Sequence, residues 1–420
     1  MTTIHAVDKD GAYVISALRT ASVRPGRNRK QKGAFTHTEP AELGGAVIKG
    51  LIQDAEINPF DVDEIRAGCV SSLGKQAFIG RQMSRAAYND LDDHGDKTPP
   101  AASNELACGS SLDAINLINR GIKSGDIDVG IGMGIEHMDV TPIGANVTLP
   151  ITRNSPFRSF FRNLIRGEKI VEDTIHPSYQ FSSMGKSAER VAQRYEINRE
   201  AADTFARDSN FKAAYARTYG YFGQEIIPVK TARGLVTEDN GIRPDINAKK
   251  LSSAEPVWNG IHTPYNSSYD AVCAAGLLLA RGKVVQDLGL EPMARIVANV
   301  LVSSNLEMQL DGPIKAIKEV LKKANLKVED IDLFEINEAF ASVVLATIKE
   351  CNIDPAKVNV NGGAIALGHA LGASGARVSV TLLHEMERRK AKYGLAVLCT
   401  AGSQAIATIF ERYDETGAVK

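Results

Sequence analysis

The feature of this sequence that most constrains its fold is a faint internal repeat. Residues 46–65 align without a gap with residues 315–334, and the hydrophobic register agrees throughout. The identical pairs are Ile48/Ile317, Lys49/Lys318, Ala55/Ala324, Asp61/Asp330 and Asp63/Asp332. Each segment has the pattern of a helix, a short loop and an acidic lead into a strand. We therefore predict two similarly folded halves, the first starting near residue 11 and the second near residue 292.

Short apolar runs rich in β-branched residues alternate with helical periods along the chain. Tyr13–Ser16 and Val129–Met133 have the composition of buried strands. Leu43–Ala55 and Ser111–Lys123 carry apolar residues at helical spacing, and the second of them is predicted to be a mostly buried helix. This alternation predicts an α/β fold.

The stretch between the two halves has a different character, with several prolines and a polar run that ends at Trp258. Because proline interrupts helices and central strands, we predict an inserted domain that lies over one end of the first half. The predicted division is a first half of residues 1–138 plus 263–291, an inserted loop domain of residues 139–262 and a second half of residues 292–420.

Composition narrows the class of protein. The 420 residues carry a formal net charge of -1, so there is no basic excess that would indicate a nucleic-acid partner. No run of about 18 apolar residues predicts a membrane span. The five cysteines lack the spacing of a disulfide framework or of a metal site. They predict a reducing compartment and no bound metal.

The first segment with a candidate catalytic residue runs from Asn104 to Ala114 and contains Cys108. Cys108 precedes a predicted helix, where unpaired N–H groups and the helix dipole favour an anion. A thiol in that position is expected to have a pKa below the free value of about 8.5. The structural alternative is a buried cysteine in a tightly packed turn.

Two later segments carry a histidine and a second cysteine. Residues 361–375 are rich in glycine and hold His369 in a tight turn before a predicted helix, where the imidazole can accept a thiol proton. The alternative role of His369 is to cap that helix. Residues 398–404 follow an apolar run and place Cys399 at the end of a predicted strand. Alone, this last pattern is a weak indication of function.

Together with residues 335–341, these three segments resemble the thiolase family. The opening strand at Val14–Thr20 and the turn at Gly134–Met138 are also similar to family motifs, so the resemblance covers nearly the whole chain. It implies an α/β thiolase fold of two similar βαβαβαββ halves, packed as five α-β-α-β-α layers with an inserted loop domain.

The resemblance implies a role for each of four residues. Cys108 matches the nucleophile that becomes acylated, and His369 matches the histidine that activates this thiol. Cys399 matches the second cysteine, which moves a proton to or from the α-carbon of the acyl group. Asn337 matches the asparagine that positions a water beside His369 as the first oxyanion hole.

The resemblance also implies binding groups, and it includes departures from the family pattern. The backbone N–H groups of Cys108 and Ala401 correspond to the second oxyanion hole, and Ser268 corresponds to the serine near the CoA pantetheine. Ala370 stands where the family has proline, Ala401 where it has glycine, and Val272-Cys273 where it has Asp-Gly. Alanine at position 401 fits only if the local φ does not require glycine.

Within the family, the resemblance leans towards degradative thiolases, especially the β-subunits of fatty-acid-oxidation trifunctional complexes. The predicted activity is that of a degradative 3-ketoacyl-CoA thiolase acting on acyl-CoA and CoA, with no cofactor. A homodimer or larger assembly is expected, with a hydratase/dehydrogenase α-subunit as a further candidate partner. The amphipathic run from Phe157 to Ile165 is a candidate membrane-surface contact, or else it packs on its own domain. The predicted compartment is the bacterial cytoplasm, with the mitochondrion as the alternative.

Three alternatives stay open. A short-chain acetoacetyl-CoA thiolase would share the same reacting groups. A decarboxylating condensing enzyme of the ketoacyl-synthase type would share the duplicated architecture, but it needs no cysteine at the position of Cys399. A catalytically silent thiolase-like lipid-binding subunit would account for Val272-Cys273, Ala370 and Ala401.

Overall fold

The structure is a computed structural model that describes residues 7–26, 32–91, 97–141 and 183–413. Its strands are β1 Ala12–Arg19, β2 Glu64–Gly68, β3 Ala101–Asn104, β4 Val129–His137, β5 Val229–Thr231, β6 Gly234–Val236, β7 Val272–Arg281, β8 Ala294–Ser303, β9 Leu333–Ile336, β10 Tyr393–Thr400 and β11 Gln404–Arg412. Its α-helices are α1 Pro40–Asp54, α2 Ile79–Tyr88, α3 Ser110–Ser124, α4 Met184–Arg194, α5 Arg199–Thr218, α6 Ala248–Ser252, α7 Gly282–Leu288, α8 Gly312–Ala324, α9 Ala341–Cys351, α10 Ala364–Leu367 and α11 Ser374–Arg389.

Nine of these strands are hydrogen-bonded in the order β3-β2-β4-β7-β1-β8-β11-β10-β9. The sequence β2-β4-β7-β1 pairs parallel, antiparallel and antiparallel. The sequence β9-β10-β11-β8 repeats the same three pairings. The two groups meet only where Tyr13 and Val14 of β1 pair with the first residues of β8. The predicted pair of similar halves is therefore confirmed, and the halves adjoin at β1 and β8.

The repeat extends to individual hydrogen bonds. The carboxylate of Asp63 accepts the two backbone N–H groups at the start of β4, at 2.7 and 2.9 Å. Asp332, its equivalent in the second half, accepts the two N–H groups at the start of β10 at the same distances. A carboxylate satisfies donors that precede the regular ladder, so it fixes where each parallel strand begins. The acidic lead into each strand thus has a structural purpose.

The layers follow from three hydrophobic cores. In the first core, Leu43 and other residues of α1 and α2 pack on the outer face of the first-half strands. Leu112 of α3 and Leu382 of α11 belong to a central core between the two groups of strands. In the third, Ile317 of α8 and its neighbours cover the outer face of the second-half strands. This gives the predicted α-β-α-β-α order, in which α3 and α11 are shielded on both sides.

A buried ion-pair cluster attaches the middle of the chain to the first half. Arg19, at the end of β1, is 0% exposed and contacts Glu225 at 2.6 Å and Asp239 at 2.7 Å. Its backbone also accepts from Ile227 N–H and donates to the Glu225 carbonyl. The guanidinium therefore neutralises two buried carboxylates at the point where residues 225–227 continue the sheet edge.

Two features bear on membrane contact. Within residues 7–26, 32–91, 97–141 and 183–413, none of the helices combines the length and the apolar character needed to cross a bilayer. The amphipathic run from Phe157 to Ile165 lies outside the described residues, so its proposed surface contact stays a prediction.

Replacing Arg19 by methionine is expected to lower the free energy of unfolding by about 3–5 kcal/mol, because two buried carboxylates lose their only described cation. Urea denaturation followed by circular dichroism measures this. Lys49→Met is the control, since Lys49 pairs with Asp90 at the exposed surface and such pairs contribute about 1 kcal/mol or less. An Arg19→Met protein as stable as Lys49→Met would contradict the assignment.

Candidate active site

The amino ends of the two central helices meet at one place between the sheets. The N–H of Ala376 in α11 donates to the Ser111 hydroxyl in α3 at 2.9 Å. A Cβ on Gly375 would lie 2.5 Å from the backbone nitrogen of Leu112, so only glycine allows this approach. Helix amino ends carry partial positive charge, so this junction favours an anion.

Cys108 occupies the turn between β3 and α3 at this junction. Ala107 before it has a left-handed φ of 43°, a strained conformation for a residue with a Cβ. Ser110 fixes the turn, because its hydroxyl donates to the Ala107 carbonyl and accepts the Leu106 N–H. The sulfur of Cys108 faces its own N–H and the N–H of Ala401. These are the two groups predicted to form the second oxyanion hole, and the structure brings them together.

The predicted lowering of the Cys108 pKa is wrong. Cys108 is half-buried, and desolvation raises the pKa of its thiol to about 12. The N–H groups of Cys108 and Ala401 act in the opposite direction, but desolvation of the thiolate is the larger effect. The carboxylate of Glu136 raises the pKa further. Cys108 is therefore a neutral thiol at rest, and a base would be needed to make it a nucleophile.

His369 has its ring orientation fixed by one hydrogen bond. Its Nδ1 lies 2.7 Å from the Ser374 hydroxyl, which itself donates to the Ala370 carbonyl at 2.9 Å. Since the hydroxyl proton is already used, Ser374 accepts from Nδ1–H, and the lone pair of the neutral ring lies on Nε2. Nε2 is buried without a partner among the described residues, which leaves it available to a reacting group.

The charge state of His369 suits a base. Burial lowers the pKa of the imidazole to about 3, and the nearby Arg377 cation acts in the same direction. The ring is therefore neutral near pH 7 and can accept a proton. Cys108 and His369 are thus both neutral at rest, rather than a thiolate and an imidazolium.

The departures from the family pattern are accommodated by the backbone. Ala370 has a φ of -80°, which lies within the range of proline, and its carbonyl is held by Ser374. In the turn after β10 the left-handed positions are Gly402 and Ser403, so Ala401 is not strained. Val272-Cys273 are the first two residues of β7, and both are buried in the sheet.

Asn337 and Cys399 lie at the carboxyl ends of the adjacent strands β9 and β10. The N–H of Asn337 donates to the Val397 carbonyl, and its side chain is 1% exposed. Neither side-chain atom of Asn337 has a partner among the described residues, and an unpaired buried amide is costly. Burial raises the pKa of Cys399, and the neighbouring Cys108 thiol adds to this. The two thiols are thus close, and the unsatisfied amide lies at the end of the strand next to that of Cys399.

Ser268 lies in a segment that is hydrogen-bonded both to the turn after Asn337 and to the turn that carries His369. Its N–H and its hydroxyl both donate to the Ala339 carbonyl at 3.0 Å. The next carbonyl, of Tyr269, accepts the His369 N–H at 2.8 Å. Because the Ser268 proton is already used, its half-buried oxygen is left as an acceptor.

Sequence reasoning missed two carboxylates that hold the site together. Glu136, at the end of β4, accepts two N–H groups of the loop after β2 and the N–H of Gly372 at 2.9 Å. Glu338 accepts the Ser209 hydroxyl at 2.7 Å and the Ile365 N–H at 3.0 Å. Both could have been found in the sequence, because each is an acidic residue in an otherwise apolar strand end or turn. A carboxylate buried there needs hydrogen-bond donors from neighbouring segments.

Comparison with known proteins shows which family this chain is similar to. The family model "Thiolase, N-terminal domain" matches residues 12–283, and "Thiolase, C-terminal domain" matches residues 290–412. An acetyl-CoA acetyltransferase of Chromobacterium violaceum is 38% identical over 406 residues, 95% of this chain and 99% of that protein. The steroid 3-ketoacyl-CoA thiolase of Mycobacterium tuberculosis is 36% identical over 405 residues, 96% of this chain and 94% of that protein.

A solved structure agrees over the same length. Human mitochondrial 3-ketoacyl-CoA thiolase in complex with CoA superimposes with a TM-score of 0.83 at 29% identity, covering 98% of this chain and 100% of that one. Both family models match, and the relatives are similar over almost their full length. The resemblance seen in the sequence is confirmed: the chain belongs to the thiolase family.

Proposed function

We propose that the chain is a degradative 3-ketoacyl-CoA thiolase, which transfers the shortened acyl group to CoA and releases acetyl-CoA. The observation that carries this proposal is the meeting of two neutral thiols, Cys108 and Cys399, with paired backbone N–H groups. His369, with a free Nε2, supplies the base. Thiolytic cleavage needs such a nucleophile, such a base and an acid for carbon.

The first half of the proposed reaction forms an acyl-enzyme. His369 Nε2 takes the proton of the Cys108 thiol, and Sγ attacks the C3 carbonyl carbon of the 3-ketoacyl-CoA. The C2–C3 bond then breaks, and its electron pair passes into the enolate of acetyl-CoA. The Cys399 thiol delivers its proton to C2. Acetyl-CoA leaves, and the shortened acyl group stays on Cys108 as a thioester.

The second half returns the enzyme to its resting state. The thiol of CoA gives its proton to the Cys399 thiolate and attacks the acyl carbon. Cys108 departs as a thiolate and regains its proton from the His369 imidazolium. Every proton taken in the first half is returned, so both thiols and the imidazole are neutral again.

In this scheme, two sets of hydrogen-bond donors stabilise the negative charge that develops on oxygen. The N–H groups of Cys108 and Ala401 stabilise the tetrahedral oxyanion on the carbon that Cys108 attacks. Asn337 and the Nε2–H of protonated His369 serve the enolate oxygen, Asn337 through a water. The unsatisfied amide of Asn337 supports this, because a preorganised buried donor acts only when charge appears.

The proposed second substrate is CoA, with no bound cofactor, and Ser268 is the proposed contact of its pantetheine. The half-buried acceptor oxygen of Ser268 supports this, as does the solved relative in complex with CoA. We keep the division into residues 1–138 plus 263–291, 139–262 and 292–420 as part of the proposal. In it, the inserted domain covers the CoA site, and the attachment of residues 225–227 at Arg19 fits such a cover.

The assembly and the compartment are also proposals. The outer edge of β3 has no neighbouring strand in the sheet of the described residues, which supports a homodimer formed through the first half. A hydratase/dehydrogenase α-subunit and the bacterial cytoplasm, with the mitochondrion as the alternative, stay predictions from the sequence. A relative in Chromobacterium violaceum supports the bacterial prediction rather than the mitochondrial alternative.

A short-chain acetoacetyl-CoA thiolase is the second candidate function. The observation that favours it is the relative at 38% identity, which is named an acetyl-CoA acetyltransferase. The reacting groups would be the same, so only the length of the acyl chain separates the two functions.

The proposed function is tested with a series of 3-ketoacyl-CoA substrates of four to sixteen acyl carbons, in the presence of CoA. We expect loss of the ketoacyl-CoA absorbance at a rate that rises with chain length. Cys108→Ser is expected to lower kcat by at least about a thousandfold, because the nucleophile is lost. Activity at four carbons alone would assign the short-chain function. The absence of turnover at every length would indicate a silent subunit.

The acid side of the pH profile tests the charge state of His369. With a pKa of about 3, the imidazole is already neutral at pH 5, so protonation does not remove the base on going from pH 8 to pH 5. We expect kcat/KM to show no acid limb near 6.5, the ordinary histidine value. Samples returned to pH 7.5 control for irreversible loss. A limb with a midpoint near 6.5 would contradict the assignment.

Ser374→Ala is expected to lower kcat about 10- to 100-fold, because His369 loses the acceptor that fixes its tautomer and ring orientation. Steady-state thiolysis measures this. Ser379→Ala is the matched control, since Ser379 is buried on the same helix and donates only to the Gly375 carbonyl. Equal losses in the two variants would indicate damage to α11 rather than to the histidine.

A further inference from the structure

The second half has a strand edge that the reaction scheme does not use. β8 pairs with β11 from Ala294 to Ser303. On its other side, β8 pairs with β1 only at Ala294 and Arg295. Beyond Arg295, no strand of the described residues lies against that side. Residues 296–303 therefore form an open edge, where backbone donors and acceptors are available to a further strand.

The internal repeat shows what occupies the corresponding edge in the first half. The equivalent strands β1 and β8 each carry one bulge, with Ile15 and Val297 as the extra residues. Aligning the two bulges makes Leu301 the equivalent of Arg19. The N–H and C=O of Arg19 are both hydrogen-bonded to residues 225–227, at 2.8 and 2.9 Å. Among the described residues, no such segment lies against Leu301.

The open edge lines a groove of about 940 Å³ with basic walls. Leu301, which is 47% exposed, lies in this groove. Helix α3 lines it from the inner face of the sheet and α8 from the outer face. Glu319 is the one carboxylate among its lining residues. The lining cations are Arg120, Lys123, Lys315 and Lys323. Since successive side chains of a strand point to opposite faces, an added strand would meet cations on both faces.

The hydrogen bonds of the groove indicate a polypeptide ligand. Lys323 donates to the Asn299 carbonyl and Lys315 to the Ser303 carbonyl, each at 2.9 Å. Lysine has no acceptor, so it cannot satisfy the N–H groups of the edge. Asn119 is 1% exposed, and its Oδ1 is an acceptor without a partner among the described residues. A polypeptide backbone supplies both the acceptors and the donors that are missing, whereas an inorganic anion supplies acceptors alone.

The charge of the groove selects an acidic segment. Burial lowers the pKa of Lys123, and the cations of Lys323 and Arg295 act in the same direction. Pairing β8 with β8 of a second copy would bring the same cations together, which is destabilising. We propose that residues 296–303 of β8 are a docking site for an acidic, extended segment of a partner protein, which adds to the sheet as a further strand. This inference does not depend on the proposed thiolase function.

The probe is a fluorescein-labelled peptide of eight residues, with two glutamates on each face of the extended chain and valine or threonine elsewhere. Fluorescence anisotropy with the full chain measures its Kd. Reversing two charges of the groove, Lys315→Glu with Lys323→Glu, is expected to raise Kd at least about tenfold, because attraction becomes repulsion. The matched control is Lys318→Glu with Lys322→Glu, exposed on the same helix but outside the groove, which should keep Kd within about twofold. Circular dichroism checks that each variant is folded.

A modified peptide separates strand addition from general attraction between charges. Methylation of the backbone nitrogens on one edge of the peptide keeps every charge but removes the donors that strand pairing needs. Since such pairing supplies affinity through main-chain hydrogen bonds, we expect Kd to rise at least about tenfold when the methylated edge is the one that faces β8. Peptides methylated on each of the two edges are compared, because only one edge should matter.

Four results would overturn the proposal. The first is no binding of the unmodified peptide up to about 1 mM. The second is an equal loss of affinity in the two charge-reversed variants, and the third is equal affinity of both methylated peptides and the unmodified one. The fourth is self-association in sedimentation experiments that the Lys315→Glu, Lys323→Glu variant alone loses, which would assign the edge to a second copy of the chain.

Discussion

Burial of the proposed reacting groups, complete for Cys399 and His369 and partial for Cys108, is the constraint on which the rest of this structure depends. Burial raises the pKa of Cys108 and Cys399 and lowers that of His369, so all three are uncharged at rest. The layer between the sheets can hold such neutral groups without the desolvation cost of buried ions. Charge appears only when a proton moves, and at that moment paired N–H groups and two helix amino ends are already in place. The same low polarity that suppresses a resting thiolate strengthens those donors.

The duplicated fold creates this dry layer, and neither half could do so alone. Each half has one sheet face that must be covered, and α3 and α11 cover both inner faces at once. Equivalent carboxylates, Asp63 and Asp332, start the equivalent strands. The proposed chemistry nevertheless differs between the halves, because Cys108 comes from the first half while Asn337, His369 and Cys399 come from the second. The repeat supplies a symmetric frame, and divergence within it supplies the separate roles.

The sequence predicted what depends on local pattern and missed what depends on packing between distant segments. The repeat, the α/β class and the turns that carry Cys108 and His369 follow from periodicity and glycine placement. The direction of the Cys108 pKa shift did not follow, because a helix start is visible in the sequence while desolvation of the folded turn is not. The acceptor for Nδ1 was missed for a similar reason: Ser374 is one of many serines until the turn geometry selects it. Tolerance of Ala401 needed the φ values of its neighbours.

Buried carboxylates explain how segments far apart in the chain act as one rigid site. Glu225 joins Arg19 on β1 to the Thr381 hydroxyl on α11. Glu338 joins α5 to the segment before His369, and Glu136 joins β4 to the same turn on its other side. Each carboxylate has partners on at least two elements. Moving one element would leave a buried carboxylate without its partners, at a cost of several kcal/mol. The middle segment, the loop after β2 and the turn that carries His369 are therefore held in fixed relation. Such fixity is what an active site built from neutral groups requires, since its donors must be aimed before any charge exists to attract them.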